Sequence, residues 1–263
     1  MVRRLVFAAF VSASLICASA QGATLLYQQN FESPVNFVND GGDFNIFRTV
    51  NQLYANQPAG FAFAQDFTVE TLRIGGTEAF GQGYKDPQGV GGQYVLGMLS
   101  TFQNDRLGLA FNVGTFKFLN FRVDISSIDL DRQGGPFVPV NGAAPLFRFR
   151  LFDNPTGALS IGAGTPLSSF DANGVIAANK FTFNWTNVLG ALDATGNTNG
   201  NVILQVDLIS GGYAAFDNFI IAASDISGEV PGTVIPLPPG FVLMAGGMLL
   251  LGGAARRSRS ARR

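Results

Sequence analysis

Apolar and polar residues alternate one by one through much of the chain, the period of two that sends successive side chains to opposite faces of a β-strand. Phe147, Phe149 and Leu151 alternate with Arg148, Arg150 and Phe152. Phe181, Phe183 and Trp185 do so with Thr182, Asn184 and Thr186, and Val202, Leu204, Val206 and Leu208 with Ile203, Gln205 and Asp207. A further run carries Leu107, Leu109 and Phe111, and between Phe116 and Ile125 the apolar phase slips after Phe118, which predicts a β-bulge. Turn-forming clusters stand between the runs: Asp40 to Asp43, Gly91 with Gly92, Gln133 to Pro136, Asn154 to Gly157 and Asn197 to Asn201. Away from the two ends no segment carries a helical stripe. Short strands at this spacing predict an all-β fold, a single antiparallel β-sandwich of jelly-roll type over residues 21–230. At 263 residues the chain is long enough for one such domain plus targeting segments.

Both ends break the alternation. Arg3 and Arg4 precede the apolar run Leu5 to Cys17, and Ala18, Ser19 and Ala20 follow it. These are the three parts of a signal peptide, a helix over residues 1–20 cleaved after Ala20 within the Ala18 to Ala20 motif. The run is shorter than the roughly 20 apolar residues of a spanning helix. Such a leader implies the Sec translocon and a signal peptidase as partners, and export across the inner membrane. At the other end, residues 231–263 hold a proline-rich stretch, an uncharged apolar stretch from Phe241 to Ala255, and an arginine-rich tail. The prolines stop any arriving helix and leave the backbone extended. The apolar stretch predicts a short transmembrane helix, and Arg256, Arg257, Arg259, Arg262 and Arg263 hold its end on the cytoplasmic side.

This tripartite tail resembles the PEP-CTERM class of sorting signals, in the variant whose motif reads V-P-L-P-A. The matching residues are Ile235, Pro236, Leu237, Pro238 and Pro239, with Ile in place of Val and Pro239 in place of Ala. The resemblance covers about the last thirty residues. It implies recognition by an exosortase, an integral membrane transpeptidase with a cysteine nucleophile, after transient anchoring in the membrane. It further implies a Gram-negative cell surface or extracellular location and an association with exopolysaccharide.

Charge and rare residues narrow what the middle of the chain does. Seven of the seventeen basic residues lie in the two end segments, leaving ten against eighteen acids between them, a net charge of −8. An acidic surface repels phosphate backbones, which argues against nucleic acid as a partner. The single cysteine, Cys17, sits in the leader, so the exported domain rests on packing rather than disulfides. Histidine is absent, which removes the commonest general base and metal ligand and every Ser-His-Asp arrangement. A secreted glycoside hydrolase built on paired carboxylates stays open as one reading, although no acid stands in a catalytic motif.

Two short segments at opposite ends of the domain complete the picture. Asn30, Phe31 and Glu32 open the first strand candidate, and Ala215 to Phe219, with Asp217 at its centre, falls in the last. This layout resembles carbohydrate-binding jelly rolls, in which an acid near the first strand and an Asp or Asn in the final strand share a calcium ion. The resemblance implies a structural calcium at Glu32 and Asp217 and a polysaccharide partner. The other reading is that both are merely strand-edge acids or satisfy buried backbone donors. Asp129 with Asp131, and Asp40 with Asp43, are further acidic candidates. Trp185 alternates with Phe181 and Phe183, which assigns it to the core; Tyr84, Tyr94 and Tyr213 lie in Gly-rich segments as candidate sugar platforms. Three functions follow: a non-catalytic surface or matrix protein, a dedicated calcium-dependent carbohydrate-binding module, and a hydrolase.

Overall fold

A computed structural model of the chain describes residues 22–35, 54, 63–66, 69–77, 79, 81–99, 105–131, 143–157, 161–162 and 164–232. The segment read as a signal peptide, with Ala18 and Ala20, the motif read as a sorting signal, Ile235 to Pro239, the arginine tail and the turn clusters Asp40 to Asp43 and Gln133 to Pro136 lie outside these residues.

Among the described residues every regular element is a strand: β1 (Thr24–Gln29), β2 (Phe63–Asp66), β3 (Val69–Arg73), β4 (Tyr94–Met98), β5 (Arg106–Asn112), β6 (Phe118–Ser127), β7 (Leu146–Asp153), β8 (Thr165–Asn173), β9 (Asn184–Asp193), β10 (Asn201–Ser210) and β11 (Ala214–Ser224). They form two antiparallel sheets. The first runs β3-β4-β11-β6-β9, with β1 also against β11, and the second runs β2-β5-β10-β7-β8. From β4 to β11 the pairing is nested: β4 with β11, β5 with β10, β6 with β9 and β7 with β8. Two further contacts, β11 with β6 and β10 with β7, join these pairs into the strand order of a jelly roll.

The alternation places one face of each strand in a common core. Phe147, Phe149 and Leu151 of β7 meet Leu119, Phe121, Val123 and Ile125 of β6, with Val202, Leu204, Val206 and Leu208 of β10 beside them. The rings of Phe121 and Phe149 stack across the sandwich with centroids 4.3 Å apart. Gly190 on β9 makes room for this pair, because a Cβ there would sit 2.3 Å from Cζ of Phe121. Each aromatic side chain buried in this way contributes about 1.5–3 kcal/mol relative to exposure.

The predicted bulge after Phe118 does not occur. β6 begins at Phe118 and pairs with β9 without interruption, so the slip in phase marks the start of the strand. The irregularity lies on the partner strand, where β11 shifts register against β6 between Asp217 and Ile220.

The outer face of the first sheet is covered at both ends. A second apolar cluster there gathers Leu72, Tyr84, Val95, Phe181, Phe183, Trp185 and Ala215. At the opposite end, Ile220 and Ala222 are covered by Val230. The chain after β11 is held down by Asn120, whose side-chain amide donates to the carbonyls of Ile226 (2.9 Å) and Glu229 (3.0 Å) and accepts from Gly228 N (2.8 Å). The segment from Gly228 is therefore docked on the sheet as far as Val230. Between the two covers the outer face is polar.

Candidate cation site at the meeting of the terminal strands

β11 is flanked on one side by two strands in succession. It pairs with β4 through Phe216 and with β1 from Phe219 onward, so Asp217 and Asn218 fall at the changeover. On its other side Asp217 is paired with Asp124 of β6, directly opposite. Like charges in that position repel. Asn218 takes a left-handed backbone conformation (φ 53°) within the bulge, and Asn tolerates that region better than most residues. Its N–H donates to Asp217 Oδ1 (2.7 Å), and its side-chain amide donates to Asp124 Oδ2 (3.0 Å) and to the carbonyl of Val90 (3.2 Å). Asn187 Nδ2 donates to the other oxygen of Asp124 at 2.7 Å.

Glu32 reaches the same place from β1. It does not open a strand: β1 ends at Gln29, and the chain turns at Phe31, which has φ 55° and accepts no solvent contact. Gln29 Oε1 receives the Phe31 N–H (2.9 Å), and the Phe31 ring is wedged edge-on between Tyr54 (5.3 Å) and Phe216 (6.1 Å). This anchor delivers Glu32 to the loop before β4, where its carboxylate accepts Gln93 N (2.9 and 3.0 Å) and Tyr94 N (3.2 Å). Gly92, at φ 56°, permits the approach; a Cβ there would lie 2.2 Å from Glu32 Oε1. Asp86 shapes the same loop by accepting the N–H groups of Gln88 (3.1 Å), Gly89 (3.1 Å) and Gly91 (2.7 Å).

Electrostatically the site is overloaded with negative charge. Burial pushes the Asp217 carboxyl up to about 8, opposed by the Asn218 N–H and reinforced by the charges of Glu32, Asp124 and Asp86. The residue is 1% exposed. Nearby, burial raises the Tyr54 hydroxyl above its usual range, and that group shares a hydrogen bond with Thr71 Oγ1 at 3.0 Å.

A buried carboxylate that is costly to ionise, with a second carboxylate beside it, suits a hard divalent cation such as calcium, which takes six to eight oxygens. Among the described residues no three acidic side chains are grouped as a metal cluster. Calcium at Glu32 and Asp217 therefore needs backbone carbonyls and water for the rest of its shell, which calcium accepts. Glu32 also does what the plainer reading of the sequence required, since it satisfies two backbone donors.

No protein-family model matches the chain, and no curated protein matches it. Solved structures do. A xylan-binding domain from CBM 22 is 14% identical, with a TM-score of 0.39, covering 80% of this chain and 96% of its own. TmCBM61, solved in complex with β-1,4-galactotriose, is 10% identical with a TM-score of 0.35, covering 62% and 88%. The K1 cleaved adhesin domain of Lys-gingipain from Porphyromonas gingivalis W83 is 12% identical with a TM-score of 0.40, covering 76% and 98%.

Other residues singled out in the sequence have structural roles. Trp185 is 7% exposed and packs on Phe183, buried as expected but in the outer cluster; Phe181, at φ 56°, and Phe183 precede β9, so the strand starts at Asn184 rather than at the first residue of the alternation. Tyr84 and Tyr213, expected as surface platforms, are 1% and 4% exposed; Tyr84 stacks on Phe183. Tyr94 is half-buried. Asp129 accepts the Asp131 N–H at 2.9 Å, and Asp131 pairs with Lys180. On the second sheet, Asp207 pairs with Arg150 (2.7 Å) and Asp171 with Arg148 (2.7 Å). Sequence reasoning missed Asp86, Asp124 and Asn218. Asp124 stands at an outward position of the β6 alternation, and only the pairing of β6 with β11 gives it a role.

Proposed function

We propose that the chain is an exported, non-catalytic cell-surface or matrix protein whose jelly roll binds polysaccharide, with one calcium ion tying the first strand to the last at Glu32 and Asp217. The observation that supports this reading best is the convergence of those two carboxylates, from residues distant in sequence, at the changeover between β1 and β4 along β11. Calcium bound there would supply charge neutralisation, while Glu32 and Asp86 hold the loop before β4 and Asn218 holds Asp217 and Asp124.

Three of the other acids support a non-catalytic reading. Thr198 holds Asp153, Arg148 holds Asp171 and the Thr195 N–H holds Asp193, and each carboxyl is lowered from its ordinary value. A glycosidase acid needs the opposite shift. Asp217 has a raised value but is shut away from a polymer by burial.

Export by the Sec route, processing by an exosortase at Ile235 to Pro239 and association with exopolysaccharide complete the proposal. The test is fractionation of cells producing the full chain or a chain lacking Pro236 to Arg263. The truncated protein is expected to be exported but misprocessed and no longer recovered with surface polysaccharide. Unchanged mature mass and surface delivery would contradict the sorting assignment.

A further inference from the structure

The polar strip left open between the two covers of the first sheet contains a pocket of about 350 Å³, lined by Gln28, Asn30, Arg122, Asp124, Asn187 and Asn218 and floored by Phe219 and Ile220. That volume is near the lower end of the roughly 300–1,000 Å³ of small-molecule sites. Two cross-strand rows run through it, each with one member outside the lining, Leu189 and Asp217. In one, Ile220, Arg122 and Leu189 are neighbours on β11, β6 and β9; in the other, Asp217, Asp124 and Asn187 are. The rows are two residues apart along β6, about 6.6 Å.

The two rows differ in chemistry. Asp124 is fixed by two carboxamides, one on each oxygen, which leaves lone pairs on an oriented acceptor for hydroxyl donors. Arg122 is half-buried, and its side chain has no hydrogen bond or ion pair among the described residues. A guanidinium so placed offers a planar fork of donors suited to a carboxylate. Leu189, opposite it on β9, is 45% exposed and extends an apolar surface just outside the pocket lining. Carboxamides from Gln28 and Asn30 bring donors and acceptors to the opposite wall.

We infer that this pocket on the outer face of the first sheet is a binding site for a hexuronate residue of an acidic polysaccharide. Arg122 takes the sugar carboxylate, while Asp124, Asn187 and Gln28 read its hydroxyls. This rests on the reading that the domain binds carbohydrate, and it adds the place and the class of sugar.

The test is calorimetric titration of the protein, purified from cells producing the full chain, with trimers of galacturonate, glucuronate, mannuronate and guluronate, and with their methyl esters. At least one free-acid trimer is expected to bind, with its ester at least about tenfold weaker, since an ester removes the charge that a bidentate arginine contact requires. Arg122→Gln should weaken the acid about tenfold or more and leave the ester unchanged; Asn187→Ala should weaken both. Acetate should not compete at matched concentration. Equal affinity for acid and ester, competition by acetate, or an Arg122→Gln protein that binds as the wild type does would each overturn the assignment. A neutral glycan bound equally by wild type and Arg122→Gln would overturn it too while leaving carbohydrate binding by the domain intact. Binding of no uronide at all sinks the inference, and a parallel panel of neutral glycans then decides whether the broader reading falls with it.

Discussion

Asp217 carries a carboxyl that burial makes costly to ionise. Its carboxyl is raised above the unfolded value, so between about pH 4 and about 8 the folded chain holds a proton that the unfolded chain has released. The contribution to stability is therefore full below that window and is lost as pH rises through it. In chelator, thermal unfolding should show stability falling from pH 5 to pH 8, and Asp217→Asn should flatten that slope and raise Tm at pH 8 by about 3 °C or more. Calcium should remove the slope in the wild type by keeping the carboxylate ionised at no penalty. At one hundred times its dissociation constant it should add about 2.7 kcal/mol to the wild type, and at the same concentration clearly less to Asp217→Asn, whose amide oxygen is an uncharged and weaker ligand. A calcium-independent Tm in both proteins would contradict the metal assignment. At the core, Phe121→Ala should cost about 3–5 kcal/mol by leaving a cavity against Phe149, and Gly190→Ala about 1–3 kcal/mol by overpacking the same ring. Denaturant unfolding reads both.

At the scale of elements, Glu32 joins the end of β1 to the start of β4 through bonds to the Gln93 and Tyr94 amides. A hydrogen bond to a charged acceptor is worth about 1.5–3 kcal/mol. Glu32→Gln should therefore speed amide exchange at Gln93 and Tyr94 about tenfold while leaving the β7 and β10 amides protected. Uniform loss of protection across both sheets would mean that Glu32 supports the whole fold instead. Much at this scale was legible in the sequence, because burial on one face imposes the period of two that β7 and β10 display. Phe118 misled because a strand's first residue carries the same signal as a phase slip. Asn30 to Glu32 misled because an acid and an aromatic beside a strand look alike whether they lie within it or just past it. The bulge in β11 left no apolar signature, since Asn218 breaks no pattern that Asp217 had not already broken.

For the whole molecule, the nested pairing of β4 through β11 explains how Glu32 and Asp217 meet. The last strand of a jelly roll returns to the middle of its sheet, and β1 then docks along the free part of that strand's edge. The resemblance of two short segments to carbohydrate-binding jelly rolls named these two acids, and the structure brings Glu32 close enough to act on the charge of Asp217. It could not supply Asp124 or Arg122, which become neighbours of that pair only through the register of β6 against β11. Charge acts at this scale as well: a net −8 outside the two ends discourages contact with phosphate polymers and leaves Arg122 as a local exception within the polar strip.

The measurement that tests the central claim most directly is a glycan-array screen of the protein purified from cells producing the full chain, run once with calcium and once with a chelator. Reproducible binding to a defined polysaccharide in calcium, lost or markedly weakened on chelation, is expected. Absence of binding to every glycan in both conditions would contradict carbohydrate recognition and leave a matrix protein held together by packing alone.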